Sequence, residues 1–143
     1  NLNRRLINPL ETAEYILSQD EFSKWMQITL VEVRENYCLI EMPIRKEMIN
    51  GLKTVHGGVT FSFAESALAF SSINTGEAAV ALNCMINFTK AVKQGDTLFA
   101  ESVLMANTKK TAVYDITISN QHKVVVASFR GTVYKLGKNI TEL

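Results

Sequence analysis

One carboxylate stands alone in an apolar stretch. In VHGGVTFSFAESALAFSSIN (residues 55–74), Glu65 is the only formally charged side chain between Lys53 and Glu77. Burying a carboxylate is costly unless it is paired, hydrogen-bonded or protonated. Burial also raises its pKa toward the range where a general base or acid works best. Nine positions before it stands His56, followed by Gly57 and Gly58. A helix starting there presents free backbone N–H groups and the positive end of its dipole in its first turn. Glycine lets a ligand approach that backbone closely, and free amides aimed at a carbonyl oxygen make an oxyanion hole. His56 supplies a donor or acceptor beside them. Asn50, in the preceding loop, is placed to orient a water or the carbonyl. Carboxylate, amide donors and polar helpers together suit acyl transfer to water.

Each feature has a plainer reading. A lone Glu in a helix is usually solvated or salt-bridged, but the apolar neighbours of Glu65 argue against a solvated face. His-Gly-Gly by itself is more often a turn and helix entry. Asn50-Gly51 is a common turn pair. Phe61, Phe63 and Phe70 read as core before substrate contacts, and Lys109-Lys110 as a solvated turn. The two histidines, His56 and His122, have no ligand-like spacing, so no metal site is expected. There is no P-loop, no dinucleotide glycine motif and no GxSxG elbow.

The elements that must hold these residues follow from pattern. With the helix starting near Gly58, Phe61, Glu65, Ala69 and Ser72 fall on one side and Phe63, Ala67, Phe70 and Asn74 on another. Such a helix is apolar nearly all round and is expected to be buried. Ahead of it, Asn8-Pro9 opens one or two short helices, with Asn8 as cap, Pro9 at the first helical position and Glu11 near the positive dipole end. MQITLVEVRE and YCLIEMPIR alternate apolar with polar and read as a hairpin turning at Glu35-Asn36. KEMINGLKT reads as loop. After Gly76 the chain is β-rich: AAVALNCMINFT, GDTLFAESVLMAN, TAVYDITIS and KVVVASFRGTVYKL each read as a strand. Antiparallel strands with one face to hide and one long apolar helix predict a sheet wrapped around that helix.

Bulk properties narrow the classes. The 143 residues suit one domain, 1–143, with a full core, and 47% hydrophobic against 20% charged is an ordinary globular balance. A formal charge of +1 is no polyanion-binding signature, so nucleic acid is not an expected partner. Cys38 and Cys84 form no CxxC pair and fit reduced thiols in a cytoplasmic protein. The N-terminal arginines have no continuous apolar run behind them, so no secretory signal is expected. Glu65, His56 and the Gly-Gly pair argue against a lipid-exposed span in residues 55–74.

The stretch NGLKTVHGGVTFSFAESALAFSSIN resembles the signature of hotdog-fold acyl-CoA thioesterases of the phenylacetate-degradation (PaaI-like) type. NFTKAVKQGDTLFAESV and KKTAVYDITISNQHKVVVASFRGTVYKLG extend the resemblance over roughly residues 31–137. It implies an α+β hotdog fold with a six-stranded antiparallel sheet in the order 1-2-4-5-6-3. It implies edge-to-edge homodimers with shared active sites, often paired into homotetramers. Carried over, Gly57 N–H polarises the thioester carbonyl, and Glu65 of the partner chain is general base for water or nucleophile. Asn50 and His56 orient thioester and water. Gly58, Phe61 and Ser62 line the substrate, and Lys90, Lys109 and Lys110 are candidates for coenzyme A phosphates. Two departures stand out. The acid is Glu65, where this branch more often has Asp. The Ser or Thr helper of some relatives is replaced by Ala81 and Leu82, leaving Asn83 as the nearest polar side chain.

The expected activity is hydrolysis of an aryl- or medium-chain acyl-CoA, with no cofactor beyond the coenzyme A of the substrate. The alternatives are a hotdog enoyl- or hydroxyacyl-CoA hydratase-dehydratase, and a non-catalytic acyl-CoA-binding protein. His-Gly-Gly directly before the helix speaks for hydrolysis, and retention of Glu65 speaks against a binding-only module.

Overall fold

The computed structural model describes residues 6–143. Arg4 and Arg5, weighed above for a secretory signal, lie outside them. Helix α1 (Pro9–Gln19) starts where Asn8 accepts the Glu11 N–H at 3.0 Å. Helix α2 (Glu21–Trp25) starts at Asp20, whose carboxylate accepts the Ser23 N–H at 3.0 Å. Both caps satisfy amides that a helix start leaves free.

Strand β1 (Thr29–Arg34) and strand β2 (Tyr37–Pro43) form the expected hairpin, turning through Asn36 at φ 53°. Strand β1 starts later than its apolar pattern suggests. Met26 closes α2 and Gln27 adopts φ 59°, a left-handed value that interrupts extended chain. Residues 46–54 form a short 3-10 turn, Lys46–Met48, and a tight loop closed by an Ile49–Val55 bridge.

Helix α3 (Gly57–Ser72) follows, then β3 (Glu77–Phe88), β4 (Thr97–Asn107), β5 (Thr111–Ser119) and β6 (Val125–Asn139). The six strands make one antiparallel sheet in the order β1-β2-β4-β5-β6-β3. This is the hotdog architecture: the sheet curls around α3, with Phe63 and Phe70 packed into it and fully buried. Each such ring contributes about 2–3 kcal/mol of burial. Gly131 lets helix and sheet meet closely, since a Cβ there would lie 2.7 Å from Leu68 Cδ2. Asn74, wholly buried, ties the end of α3 to the hairpin. Its Nδ2 donates to Arg34 O (2.7 Å) and its Oδ1 accepts from Asn36 N–H (3.0 Å). The closing Asn of the sequence motif is therefore a structural clamp.

Strand order leaves β1 and β3 at the edges. β3 is long and apolar, with Val80, Leu82, Met85 and Phe88 each more than half exposed. Proteins usually blunt such an edge with charge, proline or cover. No described helix is long and apolar enough to cross a membrane.

Candidate active site

The start of α3 is built by His56. Its backbone is extended (φ −65°, ψ 133°), and its Nδ1 accepts the Gly58 N–H at 2.8 Å. An accepting Nδ1 leaves the neutral ring's proton on Nε2, which is free to donate. The imidazole thus consumes one of the two glycine amides expected to be open. No described residue accepts from Gly57 N–H, so that amide is the open donor. The Gly58 carbonyl accepts from Ser62 Oγ at 2.7 Å, so Ser62 also turns back into the helix.

Gly57 borders a cavity of about 360 Å³ whose wall includes Thr60, Phe88, Lys90, Val92 and Val126. A Cβ on Gly57 would lie 3.2 Å from Phe88 Cζ, so glycine keeps the amide open beside that ring. Lys90 is exposed and belongs to the cavity wall. Asn50 is occupied locally. Its Oδ1 accepts from Leu52 N–H (2.9 Å) and Thr54 N–H (3.2 Å), bracing the loop that delivers His56.

Glu65 is half-buried on α3, and no described residue hydrogen-bonds or ion-pairs with its carboxylate. Burial raises its pKa above the usual carboxylate range, and the negative charge of Asp20 raises it further. The neighbouring Cys84 thiol on β3 is raised by burial and by Glu65 itself. Asp20 is fixed by its α2 cap and by Ser23 Oγ, which donates to it at 2.6 Å. Ser23 and Ser66, both buried, share a hydrogen bond of 2.9 Å, docking α2 against α3 at the level of Glu65.

The stripe of α3 that carries Glu65 is open. Phe61, Glu65, Ala69 and Ser72 are half-buried, whereas Phe63, Ala67 and Phe70 are buried. Neighbours along β3 give its sense. Gly57 meets Phe88, Phe61 packs edge-on to Phe129 (5.4 Å) opposite Ile86, and Glu65 lies by Cys84. Gly57 and Glu65 are eight residues apart on one helix, about 12 Å along its axis. Within one chain they do not reach the same carbonyl.

The remaining candidates are dispersed. Asn83 is exposed on β3, next to a register shift after Ala81 that also involves the exposed Leu82. Lys109 and Lys110 are exposed in the β4–β5 turn, at the end of the sheet near Ser72 and Thr75 rather than Gly57. Cys38 and Cys84 are both free. No metal-binding group of three or more His, Cys, Asp or Glu side chains occurs among the described residues. Sequence reasoning missed Asp20, Thr60, Cys84 and Phe88. Asp20 carries a cap signal with Ser23 three residues on, but its approach to Glu65 is a tertiary fact.

The model of the thioesterase superfamily matches residues 52–127. The chain is 36% identical over 131 residues to acyl-coenzyme A thioesterase PaaI of Escherichia coli, covering 92% of this chain and 94% of that protein. It is 31% identical over 126 residues to a putative esterase of Archaeoglobus fulgidus, covering 88% and 82%. The structure of E. coli PaaI, from the phenylacetic acid degradation operon, superposes with a TM-score of 0.90 at 34% identity, covering 92% of this chain and 95% of that one. A Streptococcus mutans protein solved with acetyl CoA superposes with a TM-score of 0.76 at 29% identity, covering 78% and 90%.

Proposed function

The chain belongs to the thioesterase superfamily, and on that premise we propose that it hydrolyses acyl-CoA thioesters to a free acid and coenzyme A. The acyl group is aryl or medium-chain, as in a PaaI-like enzyme, and the setting is cytoplasmic. No cofactor is needed, because coenzyme A is part of the substrate.

The observation that carries the reading is Glu65, a half-buried carboxylate on α3 with no hydrogen-bond or ion-pair partner among the described residues. A second copy of the chain supplies what one protomer lacks. Antiparallel pairing of two β3 edges joins residues 84–88 of each copy and covers Phe88, with Leu82 at the margin of the contact. Gly57 lies by Phe88, Glu65 by Cys84, and Phe61 midway at the level of Ile86. A twofold axis near Ile86 therefore exchanges the two ends, setting each Gly57 beside the partner's Glu65. Pairing of dimers into tetramers is compatible with this edge.

In that site Gly57 N–H holds the thioester carbonyl oxygen. The partner's Glu65 takes a proton from water as its oxygen bonds to the carbonyl carbon. The tetrahedral oxyanion is stabilised by the Gly57 amide at the positive end of the helix. It collapses with cleavage of the C–S bond, and the thiolate leaves with a proton returned by Glu65. A raised pKa keeps Glu65 a stronger base than an exposed carboxylate. Direct attack by Glu65 would give a mixed anhydride instead, and water opening it at the Glu65 carbonyl in a single turnover with heavy-oxygen water would leave label in the protein, which the general-base route never does. His56 Nε2–H and the exposed Lys90 are placed for contacts to substrate, and Asn50 acts through the loop it braces.

The test is thiol release from a panel of acyl-CoAs, followed colorimetrically, beside loss of enoyl-CoA absorbance. Thiol release supports the reading. Hydration without thiol release, or binding with no turnover of any member, overturns it.

A further inference from the structure

Thr60 carries a folding cost that the protomer does not offset. It is 2% exposed on α3, and its Oγ1 is buried with no hydrogen-bond partner among the described residues. Ser62 and Ser71, on the same helix, both return their hydroxyls to carbonyls one turn back. Thr60 does not follow them. A buried hydroxyl without a partner destabilises the fold, and valine would fill the same volume without that cost. Thr12 Oγ1 and Arg45 Nε are also buried and unpartnered, but neither belongs to the cavity beside Gly57. Thr60 does, sharing the wall with Val55, Val92 and Val126.

The cavity also holds the open amide and an exposed cation. Gly57 N–H is at one place on its wall and Lys90 at another. We propose that Thr60 Oγ1 hydrogen-bonds the secondary amide of the substrate's thiol arm nearest the thioester sulfur, and so selects pantetheine-type thioesters. This rests on the hydrolase reading given above. With the carbonyl oxygen on Gly57, the sulfur and then two methylenes lead to that amide. Thr60 is three residues along from Gly57, about 4.5 Å up the helix and on the same face. A hydroxyl donates and accepts, so it satisfies either edge of an amide. Lys90 then faces the phosphate-bearing remainder of the thiol.

The test compares Thr60→Val and Thr60→Ser with the parent protein, as the assembled oligomer. Its substrates are the N-acetylcysteamine and pentanethiol thioesters of the acyl group turned over best in the panel. The first keeps the amide and the second lacks it. The expected result is that Thr60→Val lowers the preference in kcat/KM for the amide-bearing thioester about tenfold. Thr60→Ser keeps that preference, and Tm of Thr60→Val is unchanged or raised by about 3 °C. An unchanged preference in Thr60→Val overturns the inference alone, as does equal loss on both thioesters. Absence of turnover by the parent protein on every thioester overturns the hydrolase reading and this inference together.

Discussion

Replacing Gly57 with proline removes the open amide while leaving the helix start in place. Gly57 is the first residue of α3, and His56 before it has φ −65° and ψ 133°. Proline favours that first position, and it restricts its predecessor to that extended region. No intrahelical hydrogen bond is lost, because no described residue accepts from that N–H. The steric demand is small: a Cβ meets Phe88 Cζ at 3.2 Å, which asks the ring to give by only a few tenths of an ångström. Gly57→Ala makes the same contact but keeps the N–H, so the pair isolates the donor. Loss of one oxyanion donor lowers kcat by roughly 100- to 1,000-fold, or about 2.7–4 kcal/mol of transition-state stabilisation. Thiol release under saturating acyl-CoA measures it, with Tm and light scattering confirming fold and assembly. Gly57→Pro is expected to lose at least about a hundredfold more activity than Gly57→Ala. Activity of the two variants within about threefold of each other would refute the oxyanion role of Gly57.

Glu65→Gln is expected to lower kcat by at least roughly a hundredfold with the oligomer intact, and near-normal turnover would remove Glu65 from the mechanism. The same variant tests its burial. A carboxyl whose folded pKa is raised binds more protons folded than unfolded, so its stabilising contribution is present at low pH and lost as pH rises through the folded value. Glu65→Gln should therefore be more stable than the parent at neutral pH, the gap closing below the ordinary glutamate range; thermal melts across pH would contradict this if the gap stayed constant. Asp20→Asn keeps an acceptor for the Ser23 N–H but removes the charge that raises Glu65. The acidic limb of kcat/KM should move to lower pH, and a limb that stays fixed would show that Asp20 does not act on the base. Leu82→Lys puts a charge on the exposed β3 edge and should yield protomers with little activity by light scattering and assay; an unchanged oligomer would place the interface elsewhere.

Much of this fold is legible in local pattern. The alternation in Tyr37–Pro43 and Thr111–Ser119 matches their burial, and Asn8-Pro9 caps α1 as its residue types require. The two faces assigned to α3 separate in the structure into a buried face with Phe63 and Phe70 and an open one with Glu65. Strand order was legible only through the resemblance, since alternation says nothing about which strands pair. The site was legible in part. Gly57, His56 and Glu65 stand out by type and spacing, but nothing local says that His56 Nδ1 takes the Gly58 amide and leaves Gly57 open. Asp20 reads as a helix cap because it is one; its effect on Glu65 arises from docking through Ser23 and Ser66. Thr60 looks like one more small helix residue until its buried hydroxyl is found without a partner among the described residues.

The shared site is tested most directly by mixing two inactive proteins, Gly57→Pro and Glu65→Gln, under conditions that exchange subunits. In a mixed dimer one site joins both defects, and the other joins an intact Gly57 amide to an intact Glu65. Statistical mixing should restore about one quarter of the parent thiol-release activity. If mixtures stay as inactive as their components while mass spectrometry shows mixed dimers, amide and carboxylate do not meet across the subunit boundary.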